Sequence, residues 1–144
     1  GEAKMSKSLG NTVGILADAD RVWERVRTAV TDPQRVRRDD PGRPEVCNVF
    51  SLHGFFTDEA TRADIDTRCR AGTIGCVDCK RILADNITEA FAPYRERAAY
   101  YNANPQEVRR ILDEGAEKAR VIAGETMDEV RQRMGLVWRT QLKD

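Results

Sequence analysis

Four cysteines are the feature of this 144-residue chain that most restricts how it can fold. If all four bind one metal centre, the segment from residue 47 to residue 79 must converge on one point. The spacing is Cys47-x21-Cys69-x6-Cys76-x2-Cys79, with a single close pair where structural zinc sites usually have two. This layout favours a [4Fe-4S] cluster, which takes one thiolate per iron. A zinc ion is the alternative.

The rest of the composition restricts the kind of site and the cellular location that we expect. There is one histidine, His53, which argues against mixed Cys/His metal sites and histidine-based catalysis, and we interpret it as a packed or surface residue. Charged residues make up 33% of the chain, and no apolar stretch is long enough to cross a bilayer. Such a chain is typical of the cytoplasm, where disulfides are rare, so we expect a cytoplasmic protein without membrane contact.

Helical periodicity predicts the fold class. Apolar residues recur at intervals of three and four, and no segment alternates as a strand would, so the sequence predicts an all-α helical bundle. Helices should begin near Asp18, Thr57, Cys76 and Pro105. The apolar residues expected to be buried on them are Val22, Val26, Val30, Ile82, Leu83, Ile87, Phe91, Tyr94, Val108, Ile111, Leu112, Ala119 and Ile122.

Prolines and glycines predict where helices stop. Pro93 should kink or end the helix that starts at Cys76, and Gly135 should cap the last one. Gly124 could interrupt that last helix. The proline-rich residues 35–46 should form an extended, charged surface connection, and residues 141–144 should be frayed.

A basic loop opens the chain. In Lys4-Met5-Ser6-Lys7-Ser8 the two lysines can turn their ammonium groups toward one phosphate, with hydroxyls and loop amides as further donors. The ordinary alternative for so short a pattern is a solvated basic loop. Because the chain does not start with Met and enters this motif at once, we expect it to be a piece of a longer protein.

The loop and several later segments resemble one enzyme family. The pentapeptide, followed by Leu9-Gly10-Asn11, is identical to the signature loop of class I aminoacyl-tRNA synthetases. The later segments resemble tryptophanyl-tRNA synthetases, and so does the cysteine set, which is similar to that of a bacterial subgroup with a [4Fe-4S] cluster beside the anticodon-binding region. These segments are Ala29-Val-Thr-Asp-Pro33, Asp40-Pro-Gly42 with Pro44 and Cys47-x-Val-Phe50, Gly75-Cys76-x-Asp78-Cys79-Lys80, Ala92-Pro93 and Ile111-Leu112-x-x-Gly115-Ala116-x-Lys118-Ala119-Arg120.

The resemblance implies a division of the chain. Residues 1–14 would be the end of a Rossmann-type catalytic domain whose preceding part is missing, residues 15–46 a helix and charged connection, and residues 47–144 an α-helical anticodon-binding domain. By the same resemblance Lys4 and Lys7 are catalytic, stabilising the phosphates of ATP, and Met5, Ser6 and Ser8 complete the nucleotide-binding loop. Cys47, Cys69, Cys76 and Cys79 would hold the cluster.

The resemblance also implies an activity. The full-length enzyme, expected to be a homodimer, would activate tryptophan with ATP and Mg²⁺ and transfer it to tRNA(Trp). These 144 residues alone should be inactive, because the half with the tryptophan pocket is missing. Two alternatives are a stand-alone tRNA- or RNA-binding helical module and a zinc-stabilised structural module.

Basic residues around the cysteines are candidates for tRNA contacts. Since positive and negative charges balance at 24 each, attraction for a polyanion must come from local patches. The candidates are Arg35, Arg37, Arg38, Arg43, Arg68, Arg70, Lys80 and Arg81. A solvated surface neutralised by nearby carboxylates is the alternative for any one of them.

Overall fold

A computed structural model of the chain describes residues 5–136, which contain six α-helices and no strand. The prediction of an all-α chain is confirmed for this range. Lys4 and the C-terminal residues expected to fray lie outside it. The helices are α1 (Ala19–Arg27), α2 (Asn48–Phe56), α3 (Glu59–Arg70), α4 (Cys76–Ala90), α5 (Ala92–Ala103) and α6 (Pro105–Arg133), with short 3-10 turns at Lys7–Leu9 and Pro44–Val46. None of these helices has the length and apolar character needed to cross a membrane.

Side-chain caps fix two helix starts. The Asp18 carboxylate accepts a hydrogen bond from the Arg21 amide at 2.8 Å and caps α1, as predicted. In α3 the cap is Asp58, one residue after the predicted Thr57, and it accepts from the Thr61 amide at 2.9 Å. A carboxylate at this position also interacts favourably with the helix dipole.

Two helix ends follow the backbone chemistry of proline and glycine. The break between α4 and α5 lies at Phe91, two residues before Pro93, in agreement with the prediction. Gly135 ends α6 with a φ of 70°, and the Leu136 amide donates to the Arg131 carbonyl at 2.8 Å. Gly124 does not interrupt α6, which is continuous through it.

Contacts divide the chain into two units, residues 1–98 and residues 99–144. In the first unit, Val22 and Val26 of α1 pack on Leu83, Ala84 and Ile87 of α4 to form the core, which also contains Cys47 and Val49. The prediction was wrong for Val30 and Tyr94, which are 69% and 58% exposed. Val30 lies beyond the end of α1, and Tyr94 follows the break at Phe91, so neither continues the apolar face of its predicted helix.

The described part of the second unit is dominated by α6. We predicted an apolar stripe buried along this helix, but α6 has no buried residue within residues 99–136, and Leu112 and Ile122 are 66% and 69% exposed. Periodicity identifies the apolar face of a helix without specifying what covers it. Side-chain pairs three and four residues apart support the helix, as where Arg110 bonds Glu107 and Glu114, each at 2.6 Å.

The segment predicted as an extended connection is instead a closed loop. Asp32 is almost fully buried and receives three hydrogen bonds from Arg43, from the backbone N at 3.1 Å, from Nε at 3.0 Å and from Nη2 at 2.6 Å. A fourth comes from the Gln34 amide. Because this bidentate pair joins both ends of the segment, residues 33–42 form a closed loop within the first unit.

Substitution of Asp32 by Asn should lower thermal stability at pH 7 by several degrees. The hydrogen bonds from Arg43 hold the pKa of Asp32 well below its usual range. This carboxylate therefore contributes stability that is fully present above about pH 4 and is lost as the pH falls further. Circular-dichroism melts at pH 7 and pH 3 should show a smaller loss on acidification for Asp32→Asn than for the unmodified chain. The exposed Asp85→Asn, as a control, should melt like the unmodified chain at both pH values.

Candidate functional site

The basic loop forms a short, solvent-exposed turn. Ser6 caps the 3-10 turn Lys7–Leu9 through Oγ, which accepts from the Leu9 amide at 3.3 Å, while the Ser6 amide donates to Asn11 Oδ1 at 2.9 Å. Gly10 has a φ of 61°, and its amide donates to the Lys7 carbonyl. Lys7 and Ser8 are exposed, so their side chains are available to a ligand, whereas the Ser6 hydroxyl shapes the loop.

The four cysteines come from three helices of the first unit. Cys47 is buried just before α2, Cys69 lies in the last turn of α3, and Cys76 and Cys79 occupy the first turn of α4. None of them is in a disulfide. These helix ends therefore bring into one unit cysteines that are up to 32 positions apart in the sequence.

The titration of the thiols reflects their burial and their proximity to one another. Burial, together with the neighbouring Cys47, Cys69 and Cys76, raises the pKa of Cys79 to about 12. Burial likewise raises the pKa of Cys69, in spite of the nearby Arg35 guanidinium. These raised pKa values favour the protonated thiols. A bound metal would favour the thiolates instead, because a coordinated thiol is deprotonated.

The backbone leaves room for a sulfur beside Gly42. A Cβ at this position would lie 2.5 Å from Cys69 Sγ, so a larger residue would collide with the thiol. The Gly42 amide also donates to the Cys69 carbonyl at 2.9 Å. Gly72, at the turn before α4, has a φ of 70°, and its missing side chain leaves space for the Asp39 carbonyl.

Within residues 5–136 no group of three or more His, Cys, Asp or Glu side chains could hold a metal ion in the present arrangement. A tetrahedral zinc ion with Zn–S bonds of about 2.3 Å requires its ligand sulfurs about 3.8 Å apart. A four-iron cluster requires a wider arrangement, since each sulfur binds a different iron. The ligand role of the four cysteines therefore remains a prediction.

Two side-chain nitrogens lie against the sulfurs. Arg35 Nη1 is 3.6 Å from Cys69 Sγ, and its Nη2 donates to the carbonyls of Ile74 and Arg38. His53 is fully buried, and its Nε2 is 3.4 Å from Cys79 Sγ. The pKa of His53 is below its ordinary value because burial outweighs a hydrogen bond with the backbone of Cys79, which acts in the opposite direction.

A cavity of about 380 Å³ adjoins Cys76. Arginines of the closed loop form one wall, and the start of α4 forms the other. The lining residues are Thr31, Arg35, Val36, Arg37, Arg38, Gly75, Cys76, Val77 and Asp78. Val36 and Val77 are 86% and 65% exposed, so apolar as well as cationic surface faces solvent here.

Most of the basic residues that we singled out are engaged within the chain. Three of them line the cavity, and of these Arg35 is held by two carbonyls. Arg38 makes only an exposed ion pair with Asp78 at 3.2 Å, and the Arg37 guanidinium has no partner within residues 5–136. An exposed pair of this kind is weak and easily exchanged for another anion. Of the others, Arg43 pairs with Asp32, Arg68 with Asp64, Arg70 with Asp66 and Glu45, Lys80 with the Arg27 carbonyl and Arg81 with the Trp23 ring.

Sequence reasoning missed two features of this region. The first is Asp32, which closes the loop that carries the arginines through its bonds to Arg43. The pairing of a buried acid with an arginine distant in the sequence leaves no sequence signature. His53 was interpreted as a packed or surface residue; the packing is confirmed, but its contact with Cys79 depends on the crossing of α2 and α4 and could not be predicted.

Comparisons with known proteins agree with the resemblance. The family model for tRNA synthetases class I (W and Y) matches residues 1–92. The tryptophan–tRNA ligase of Deinococcus radiodurans is 47% identical over 137 residues, which cover 95% of this chain and 42% of that protein. The tryptophan–tRNA ligase of Aquifex aeolicus is 46% identical over 134 residues, covering 92% of this chain and 34% of that protein.

Solved structures show the same similarity. Tryptophanyl-tRNA synthetase from Campylobacter jejuni superposes with a TM-score of 0.85 at 33% identity, covering 93% of this chain and 43% of that one. A second structure of that enzyme, in complex with ADP and tryptophan, gives the same TM-score.

These similarities define the class of protein. The chain belongs to the class I tRNA synthetase family that comprises the tryptophan and tyrosine enzymes. The relatives and solved structures described above are all tryptophan enzymes. The chain spans between 34% and 43% of their lengths.

Proposed function

We propose that this chain is part of a tryptophan–tRNA ligase, which activates tryptophan with ATP and Mg²⁺ and transfers it to tRNA(Trp), and which acts as a homodimer. The observation that carries the proposal is the similarity to tryptophan–tRNA ligases over 95% of the chain, at 47% identity. In this proposal the chain contributes two functional elements, a phosphate-binding loop and an anticodon-binding region.

The loop at residues 4–8 would contact the phosphates of ATP. Lys7 is exposed on a turn whose shape is fixed by Ser6, Asn11 and Gly10, so its ammonium group can approach a phosphate without being buried first. Attack by the amino acid on the α-phosphate leaves negative charge on the departing pyrophosphate. A cation held there stabilises the transition state more than the ground state.

The four cysteines would hold a [4Fe-4S] cluster. The chemistry of the donor set supports this proposal: four thiols without disulfides lie at three helix ends, a glycine leaves space beside Cys69, and nitrogen atoms lie against two of the sulfurs. When bound, the cluster would cross-link α2, α3 and α4 and fix the adjoining closed loop of residues 33–42, which carries the arginines. Its role in this proposal is structural and supports recognition of tRNA.

The cavity beside Cys76 would bind the anticodon loop. Arg37 is free to contact a phosphate, and Arg38 can exchange its exposed pairing with Asp78 for one. Unstacked bases need apolar or planar surface, which Val36 and Val77 supply. The arginines fixed in intramolecular contacts are less suited to this role, because binding would first have to break those contacts.

Substitution of Arg37 by Ala should weaken binding of the tRNA(Trp) anticodon stem-loop to the full-length protein. Loss of one phosphate contact to a single-stranded loop should reduce the slope of log K against log salt by about 0.7. Fluorescence anisotropy with a labelled stem-loop, titrated at several salt concentrations, measures both effects.

The matched control is Arg109→Ala, which removes the same charge from an exposed position on α6. It should leave the affinity and the slope unchanged. Equal losses for Arg37→Ala and Arg109→Ala would mean that the cavity is not the anticodon site.

A further inference from the structure

A partly buried relay of hydrogen bonds ends at one of the four cysteines. Asn86 Nδ2 on α4 donates to Thr57 Oγ1 at 2.8 Å, and Thr57 Oγ1 is 2.7 Å from His53 Nδ1. On the other side of the ring, His53 Nε2 is 3.4 Å from Cys79 Sγ. The His53 side chain is completely buried, so both ring nitrogens depend on these partners.

One assignment of the hydrogens satisfies every member of this relay and also suits a metal-bound Cys79 thiolate, which has no proton to donate. In this assignment the Asn86 amide NH₂ donates to Thr57 Oγ1, and the single hydroxyl hydrogen of Thr57 is donated to His53 Nδ1. Nδ1 is then the acceptor of the neutral ring, and the proton is on Nε2. Nε2–H therefore donates toward Cys79 Sγ.

This proton position decides between two roles for the histidine. A metal ligand needs a nitrogen with a free lone pair, whereas in this assignment Nε2 carries the hydrogen and Nδ1 accepts from Thr57. His53 is therefore not suited to replace a cysteine as ligand. A donor to a ligand sulfur withdraws electron density from it, which favours the reduced state of an iron–sulfur centre and resists release of the metal.

We propose that His53, oriented by Thr57 and Asn86, is a positioning residue that donates a hydrogen bond from Nε2 to Cys79 Sγ and so adjusts the reduction potential and metal retention of the four-cysteine centre. This inference rests on the proposed cluster. Arg35, near Cys69, is the second donor, but it also holds two loop carbonyls, so His53 is the cleaner residue to test.

The test compares three variants of the full-length protein, purified without oxygen. His53→Leu removes the donor, His53→Gln retains an N–H at the end of the side chain, and Thr57→Val removes the group that orients the ring without touching the sulfur. The measurements are iron content, the rate of iron release to a chelator, and the cluster potential by spectroelectrochemical titration.

His53→Leu should release iron about tenfold faster and have a more negative potential. Thr57→Val should shift both in the same direction by a smaller amount, and His53→Gln should stay near the unmodified protein. If His53→Leu does not fold by circular dichroism, Thr57→Val and His53→Gln decide the result. Folded variants with unchanged release rate and potential would overturn the role of His53.

The metal content of the unmodified protein separates this inference from the cluster proposal. If the protein holds zinc instead of iron, the cluster proposal fails, and zinc release by the same variants is measured. Faster zinc release by His53→Leu and Thr57→Val would then still support the hydrogen bond to Cys79. Equal release would overturn it, as would a protein that holds neither metal.

Discussion

Substitution of Lys7 by Ala should lower the rate of tryptophan activation by the full-length protein by about 10²- to 10³-fold. A single donor that stabilises charge in a transition state typically contributes this much. The effect should appear mainly in kcat, since the charge on the departing pyrophosphate develops only as the reaction proceeds. Tryptophan-dependent ATP–pyrophosphate exchange measures the rate.

Lys118→Ala is the control for this substitution. It removes a lysine from α6, outside the proposed ATP loop, and should leave the exchange rate unchanged. An exchange rate for Lys7→Ala within twofold of the unmodified enzyme would contradict the assignment of Lys7. The isolated 144 residues are expected to give no exchange.

Leu83→Ala should destabilise the first unit by about 2–5 kcal/mol. Leu83 is completely buried between α1 and α4, and its truncation leaves a cavity lined by Val22 and Val26. Urea denaturation followed by circular dichroism measures the free energy of unfolding.

Val77→Ala is the matched control, because it truncates a side chain on the same helix that is 65% exposed. Its effect should be within about 0.5 kcal/mol. Similar losses for both substitutions would mean that α4 does not pack on α1 through Leu83.

The helices of the first unit could largely be predicted from local chemistry. The Asp18 cap and the break before Pro93 depend on residues within one turn of each boundary, and so does the Gly135 cap in the second unit. The wrong predictions concern which apolar helix faces are buried. Ile122 fits the apolar periodicity of α6 but is exposed, because periodicity contains no information about a partner surface.

The candidate site, too, could be predicted only in part from the sequence. Sequence spacing singled out the four cysteines, and the structure brings them to three helix ends of one unit. The Asp32–Arg43 pair and the contact of His53 with Cys79 join residues 11 and 26 positions apart. Such contacts follow from tertiary packing, so the arginine loop and the histidine relay could be recognised only in the folded chain.

Metal analysis of the full-length protein, purified without oxygen, is the most direct test of the proposal that the four cysteines hold a [4Fe-4S] cluster. Iron, acid-labile sulfide and zinc are quantified per chain. We predict about four iron and four sulfide per chain, both lost in Cys79→Ser. One zinc per chain without iron would contradict the cluster and favour a zinc-stabilised helical module.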